Sequence, residues 1–422
     1  MDNPASRRIF AVMTHHTDIL IVGGGLNGAA LALALSQTGL TSVLLDAAPR
    51  VAMTTPGFDG RSYALALSSV RLLRNLGLWS RLARDAQPIR EIRVSDGRAG
   101  EGPLSPFFLQ FDSAAIDESA ADGAMGQMVE DRHLRAALME AVAADPRINA
   151  RFDAVVAAQS GDAHSAQVTL TDGHVITARL LVGADGRRSG TADRAGIKRT
   201  GWDYGQTAMV CAIGHDRAHN GIAHQFFMPP GPLAILPLTG NRSSIVWSET
   251  HANAAAFNAL PEDAYLAMLR PRFGDFLGEI RLAGARYTYP LTLTLANSFV
   301  AARLALVGDA AHGIHPIAGQ GLNAGLRDVA ALADVLEQAR ARGEDIGAAD
   351  VLARYQQWRR FETTALAVTT DLTNRLFSND NPLLRAVRDI GMGVVNATGP
   401  LKRALQREAA GVRGDLPRLM RG

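Results

Sequence analysis

Three groups of residues combine an apolar run, glycine and an acid, a pairing of types suited to binding phosphates and sugars. The first is Gly23, Gly25 and Gly28 in GGGLNG, with Asp46 lying 23 residues after Gly23. Gly23 permits a tight turn. Gly25 lacks a Cβ, so a pyrophosphate can approach the backbone, and Gly28 lets the following helix pack closely. A carboxylate at the spacing of Asp46 accepts ribose hydroxyls. The second group is GADG, residues 183–186, which contains Asp185. The third is Gly308-Asp309, at the head of GDAAHGIHPIAGQGLN. In its GQGLN segment, Gly319 to Asn323, backbone N–H groups at a helix start would stabilise negative charge on a bound ring, such as a reduced flavin.

The elements needed to position these residues can be read beside them. TDILIV, residues 17–22, is a short apolar run suited to a buried parallel strand. Ala29 to Ser36 reads as a helix that ends before Gly39, and Ser42 to Leu45 as a second strand ending in Asp46. RLLVGADGRRS, 179–189, is again a strand running into a glycine turn. Leu304 to Val307 is a third such strand, and a helix starts near Gly321 and continues through Ala330, Ala331, Leu332 and Leu336. Strand, glycine turn, helix and strand together predict a dinucleotide site, without separating NAD from FAD. Singly, Asp185 or Asp309 reads equally well as a turn or cap residue.

Composition narrows the classes. The chain has 422 residues with a formal net charge of +2, too balanced for broad electrostatic binding of nucleic acid. Hydrophobic residues make up 47% and charged residues 20%, which predicts a globular chain of two or three domains. The only cysteine, Cys211, excludes an intramolecular disulfide, argues against a cysteine zinc site, and reads as a small buried hydrophobe. This cysteine usage fits a cytoplasmic location. No run is long and apolar enough to span a bilayer, and residues 1–16 read as an extension rather than a secretory signal. His312 and His315 are three apart, but Pro316 follows and no HExxH is present, so no metal is expected. No GxSxG elbow marks a serine hydrolase.

Residues 91–119 and 201–287 separate the nucleotide-binding pieces. Strand-like runs at Ala234 to Leu236 and Ser244 to Trp247, turns at Pro229-Pro230-Gly231 and Gly240-Asn241, and a helix near 261–270 predict a mostly antiparallel sheet. Such a sheet would form a substrate pocket at the domain interface, with Phe226, Phe227, Met228, Trp247 and Tyr289 as candidate lining residues or, equally, ordinary core. Residues 351–422 read as helical, including an amphipathic run from Ala353 to Thr370. From Arg375 to Gly422 nine basic residues face four acidic ones, and Leu383, Leu384, Val387 and Ile390 form an apolar stripe. This segment suits either an anionic membrane or a partner, or packing on the catalytic body.

Taken together, these motifs resemble those of the FAD-dependent aromatic hydroxylases of the p-hydroxybenzoate hydroxylase superfamily, and more closely those of the ubiquinone-biosynthesis ring hydroxylases. Supporting segments are DGRSYALALSSVRLLRNLGLW (59–79), QPIREIRVSD (87–96), GQMVEDRHLRAAL (126–138) and GPLAILPL (231–238). The resemblance runs from about residue 17 to 380. It implies an α/β fold: a Rossmann-like FAD-binding domain (17–90, 120–200 and 288–345), an inserted, mostly antiparallel substrate domain (91–119 and 201–287), and a helical segment at 346–422. Gly23, Gly25, Gly28 and Asp46 would hold the ADP half of FAD. Arg61 would approach the flavin or its diphosphate, and Arg132 and Gln127 would contact FAD. Asp185 would lie in the turn that touches FAD and a reduced nicotinamide, and Asp309 would bind the ribityl chain or phosphates. Gly319, Gly321, Leu322 and Asn323 would follow the isoalloxazine edge, with Pro316 near its face.

The implied reaction is hydroxylation of the ring of a polyprenylated phenol by O2 and NAD(P)H, through a C4a-hydroperoxide of the flavin. No residue is assigned as a catalytic base, because the cofactor carries the difficult step. The resemblance also implies a ubiquinone-biosynthesis protein complex and peripheral contact at the inner face of the membrane. A non-hydroxylating flavoprotein, such as a reductase, or a non-catalytic flavin-binding assembly subunit are the alternatives; the tryptophans at 79, 202, 247 and 358 are too widely spaced for a halogenase pattern. One departure stands out. Where relatives have Ser-x-Val-Arg after the GADG turn, this chain has Ser189-Gly190-Thr191-Ala192, with Arg188 and Arg194 nearby.

Overall fold

Parallel strands with both faces covered need apolar residues at every position, and the first strand meets that demand: Ile19, Leu20 and Ile21 are fully buried. In a computed structural model, which describes residues 14–55, 57–96, 108–112, 123–314, 319–377 and 398–421, this strand spans Thr14–Val22. It sits inside an eight-stranded sheet, between Val175–Gly183 and Ser42–Leu45. Leu304–Leu306 flanks the former and Ile148–Arg151 the latter, and all five of these strands are parallel. Expected as six residues, the first strand is nine long, because the neighbouring strand keeps pairing with it back to Thr14.

Helices pack on this sheet, Asp131–Ala144 among them. Leu26–Gln37 is alanine-rich and buried along much of its length, and Gly39, with φ +80°, turns the chain out after it. Gln320–Ala341 begins one residue before the position expected from sequence. A further helix, Ala349–Phe377, contributes Val351, Leu352 and Tyr355 to the same core.

The second sheet has nine strands and is antiparallel except where Ile222–Phe227 pairs with Glu91–Asp96. Its longest strand, Arg199–His215, lies between Arg242–Thr250 and Tyr287–Ala296. Helices His251–Asn258 and Glu262–Phe273 cover one face, where Met209, Cys211, Phe226, Met228, Trp247 and Tyr265 form a separate core. A small sheet of Ser62–Ala66, Gly126–Glu130 and Gln87–Ile89 packs on part of the other face, through Ile89, Met128, Ala64, Ala212 and Leu238. Among the described residues, no helix is long and apolar enough to cross a membrane.

Candidate functional site

Strand register places the three glycine–acid turns together. Val22 pairs with both Leu45 and Gly183, and Gly183 pairs with Leu306, so all of these strands end at one edge of the parallel sheet. Open α/β sheets bind ligands at that carboxyl edge. The turns also touch pairwise. Gly23 has φ +107°, and a Cβ there would lie 2.3 Å from the Ala184 carbonyl oxygen. A Cβ on Gly308 would lie 2.2 Å from Asn27 Nδ2. Arg187, in the second turn, donates from Nε to Asp309 in the third at 3.0 Å.

The glycines divide their tasks as the motif predicts. A Cβ on Gly28 would fall 1.8 Å from the Gly23 carbonyl oxygen, so the helix cannot seat without glycine there. A Cβ on Gly25 would meet nothing within 4 Å, and Gly321 is equally open. Both helices begin without a side-chain cap, at Gly25 and Gly319. Their first N–H groups are left without a side-chain cap, which is the arrangement an anion requires. Asn27 Oδ1 is buried and has no hydrogen-bond partner. Two helix starts without side-chain caps and open glycines fit a long phosphate-bearing cofactor such as FAD.

The acids differ in how fully they are committed. Asp46 accepts from the Gly24 and Ala48 amides, both at 2.7 Å, and lies beside the glycine turn where a ribose is expected. Asp185 is taken up by its own turn: it accepts from Ser189 Oγ, from the Thr191 amide at 2.9 Å and from Thr191 Oγ1 at 2.8 Å. Its side chain acts as a local cap, leaving the backbone of the turn to face the site. Ala192, at the position of the missing arginine, is fully buried, and Arg194 is turned toward Gln159 at 3.2 Å.

Asn323 makes four hydrogen bonds. Its Oδ1 accepts from the Ala66 amide and Ser69 Oγ, and its Nδ2 donates to the Ala64 and Gly319 carbonyls. It thereby joins the start of the long helix to Ser62–Ala66. Leu322, beside it, packs partly buried against the main core. Arg61, just before that strand, pairs with Asp59 at 2.6 Å and Asp131 at 3.2 Å. Burial alone would lower the Arg61 pKa, but these two carboxylates raise it, so the guanidinium stays charged. Arg132 donates to the buried Glu130 at 2.7 Å and lies over the Phe58 ring. Gln127 is buried in the middle strand of the small sheet. Pro316 and His315 lie outside the described residues, as do Leu383, Leu384, Val387 and Ile390.

Sequence reasoning missed a buried charge cluster behind the third turn. Asp328 Oδ2 accepts from the Gly308 amide at 2.9 Å and pairs with His312 Nε2 at 2.5 Å, while Oδ1 accepts from Arg359 Nε at 2.7 Å. Burial would raise the Asp328 carboxyl, but His312 and Arg359 outweigh it and hold it below the usual carboxylate range. The one sequence signal was an aspartate at 328 in a helix otherwise apolar on that face, among Ala324, Ala331, Leu332 and Val335.

The pocket candidates split between the two faces of the second sheet. Phe226, Met228 and Trp247 belong to the core under the helices, so as lining residues they are corrected to structural ones. Tyr289 is on the opposite face. It pairs with Ala208, which pairs with Ser248; next to that row, Tyr287, Val210, Val246 and Ala234 form another. Side chains paired directly across strands share a face. This gives a floor of small residues bordered by two tyrosines, with Val210 and Val246 half-buried and Tyr289 40% exposed. At one end lies the Gly60 turn, where a Cβ would come 3.8 Å from the Tyr287 ring. Phe227 is buried, alternates with Phe226, and faces this side.

Residues 16–369 match the FAD-binding-domain family. The chain is 46% identical to the ubiquinone hydroxylase UbiL of Rhodospirillum rubrum over 96% of its length and 92% of that protein. It is 36% identical to the 3-demethoxyubiquinol 3-hydroxylase of Escherichia coli, over 94% of its length and 99% of that protein. Among solved structures, p-nitrophenol 4-monooxygenase PnpA from Pseudomonas putida superposes with a TM-score of 0.76 at 20% identity, covering 95% of this chain and 100% of that one, a likeness of fold. The chain belongs to the family of FAD-binding ubiquinone hydroxylases.

Proposed function

We propose that this ubiquinone hydroxylase holds FAD across the carboxyl edge of its parallel sheet and hydroxylates the aromatic ring of a polyprenylated phenol on the route to ubiquinone. The observation that carries the cofactor site is the mutual contact of three distant turns at Gly23/Ala184, Asn27/Gly308 and Arg187/Asp309. The substrate class follows the activities named for the relatives.

In this reading Gly23, Gly25, Gly28 and Asp46 bind the ADP half. The backbone around Asp185 and the Asp309 carboxylate meet the diphosphate and ribityl chain, and Arg61, Gln127 and Arg132 stand on the flank. Gly319, Gly321, Leu322 and Asn323 line the ring edge. Bound and reduced by NAD(P)H, FAD supplies the activation of O2. The chain's own task is to orient the phenol and exclude water, and the half-buried Val210 and Val246 beside Tyr289 form the surface that would do so. Burial raises the Tyr289 phenol pKa, favouring its protonated, hydrogen-bond-donating form.

A polyprenylated substrate partitions into membrane, so the enzyme works at the inner face of the membrane or receives the substrate within a ubiquinone-biosynthesis complex. Support for membrane contact comes from the outer side of Ala349–Phe377, where Phe361 is 80%, Val368 52% and Leu372 61% exposed at helical spacing. Binding to vesicles containing anionic lipid, weakened in Phe361→Ser, checks this contact. The main test is to isolate the protein with its cofactor and to analyse ubiquinone precursors in cells lacking it. Bound FAD and an accumulated ring precursor short of one hydroxyl are expected; normal ubiquinone without precursor would overturn the assignment.

A further inference from the structure

We propose that the segment Ala410–Met420 is a strap that positions the Gly308–His312 turn and the start of the helix Gln320–Ala341 from behind, with Arg327, Arg359 and Asp328 as positioning residues. The inference rests on the FAD reading above and assigns a task to residues that touch no expected part of the cofactor.

The segment is anchored at several points. Leu419 and Met420 are buried in the main core. Asn75 Nδ2 donates to the Leu419 carbonyl at 2.8 Å, the Arg418 amide donates to Asp334 at 2.6 Å, and Trp358 Nε1 donates to the Asp415 carbonyl at 3.3 Å. From residues 411–413 two routes lead to two cofactor-facing supports, Asn323 at the start of the long helix and the Gly308–His312 turn. The first is short. A Cβ on Gly411 would lie 2.5 Å from Ser68 Oγ and 3.2 Å from Ala66 Cβ, and the Ala66 amide donates to Asn323. The second is a chain of charges. The Arg413 carbonyl accepts from Arg327 Nη2 at 3.0 Å, and the same nitrogen donates to Glu362 at 3.2 Å. Glu362 pairs with Arg359, Arg359 with Asp328, and Asp328 holds the Gly308 amide and His312.

Buried ion clusters add little net stability compared with apolar packing, because desolvation offsets their attraction. What such a cluster does supply is fixed geometry. Asp328 clamps both ends of the turn that carries Asp309, and Asn323 fixes the next helix start. The segment Ala410–Met420 contacts the supports of both.

The test is titration of FAD into apoprotein, read by flavin fluorescence, for the full chain, a chain lacking residues 411–422, Arg327→Met, Arg327→Lys and Asp328→Asn. The deletion and Arg327→Met each weaken FAD binding roughly tenfold and alter the visible flavin spectrum, Asp328→Asn weakens it more, and Arg327→Lys recovers most of the affinity. Because the deletion removes both routes and Arg327→Met only the second, the deletion costs at least as much as Arg327→Met, and combining them is no worse than the deletion alone. Unchanged affinity in both variants, or effects that multiply, would overturn the strap. If the deletion does not fold, as judged by circular dichroism of the apoprotein, Arg327→Met against Arg327→Lys decides. A full chain that binds no FAD overturns the functional reading instead, so the two failures are distinct.

Discussion

The two faces of the nine-stranded sheet are made by alternate residues of the same strands, yet they differ in kind. Under helices His251–Asn258 and Glu262–Phe273 the face is large and aromatic: Trp247 stacks on Phe257 with ring centroids 5.3 Å apart, and Arg272 lies 4.3 Å over the Trp247 ring. The opposite face carries Ala208, Val210, Val246 and Ser248, with Tyr287 and Tyr289 along one side. Bulky side chains fill the side that is closed by the protein's own helices. Smaller ones floor the other side, which the small sheet covers in part and where Val210 and Val246 stay half-buried. In a sheet of period two, one residue's choice between fold and function is set by its parity in the strand.

The contrast can be broken most forcefully at Trp247. Trp247→Ala should cost about 3–5 kcal/mol of stability through cavity formation, read by urea unfolding. A loss of hydroxylation with unchanged stability would mean that the covered face is catalytic after all. Val210→Trp is the converse. It should lower kcat/KM at least tenfold while moving the melting temperature by only a few degrees, because the new ring fills space on the open side; intact activity would remove this floor from the substrate site. The smallest effect is a pH dependence. His224 stacks on Phe226 and Phe276, and burial, helped by Arg93, lowers its pKa to about 4. The unfolded chain, with a histidine near 6.5, then binds more protons than the folded one across that window. Stability should fall as pH drops from about 6.5 to 4 and level off below. Wild type should lose about 1–2 kcal/mol more than His224→Phe over this range, and equal losses would place His224 outside the covered core.

How much of this was legible beforehand follows from the range of each signal. The three turns were readable because strand, glycine and acid are contiguous, and the parallel strands at 17–22, 179–183 and 304–307 were found from apolar runs alone. The parity of the second sheet was not legible: the consecutive Phe226, Phe227 and Met228 stood level with Trp247 and Tyr289, because strand bounds and the covering helices, which come later in the chain, decide which face each occupies. Asp185 shows a further limit. Its type and spacing suit a ligand, yet Ser189 and Thr191, four and six residues on, claim its oxygens. The cluster of His312, Asp328 and Arg359 was invisible because its members lie 16 and 31 residues apart and meet only when two helices pack.

Asn323 spends all its hydrogen-bonding capacity on Ala64, Ala66, Ser69 and Gly319. It has no donor to spare for a guest, so a ring resting at that helix start would meet main-chain amides there rather than this side chain. Recognition written in peptide N–H groups does not depend on which side chains occupy the neighbouring positions. The surroundings can therefore drift, and with them the molecules admitted, while the seat itself stays the same.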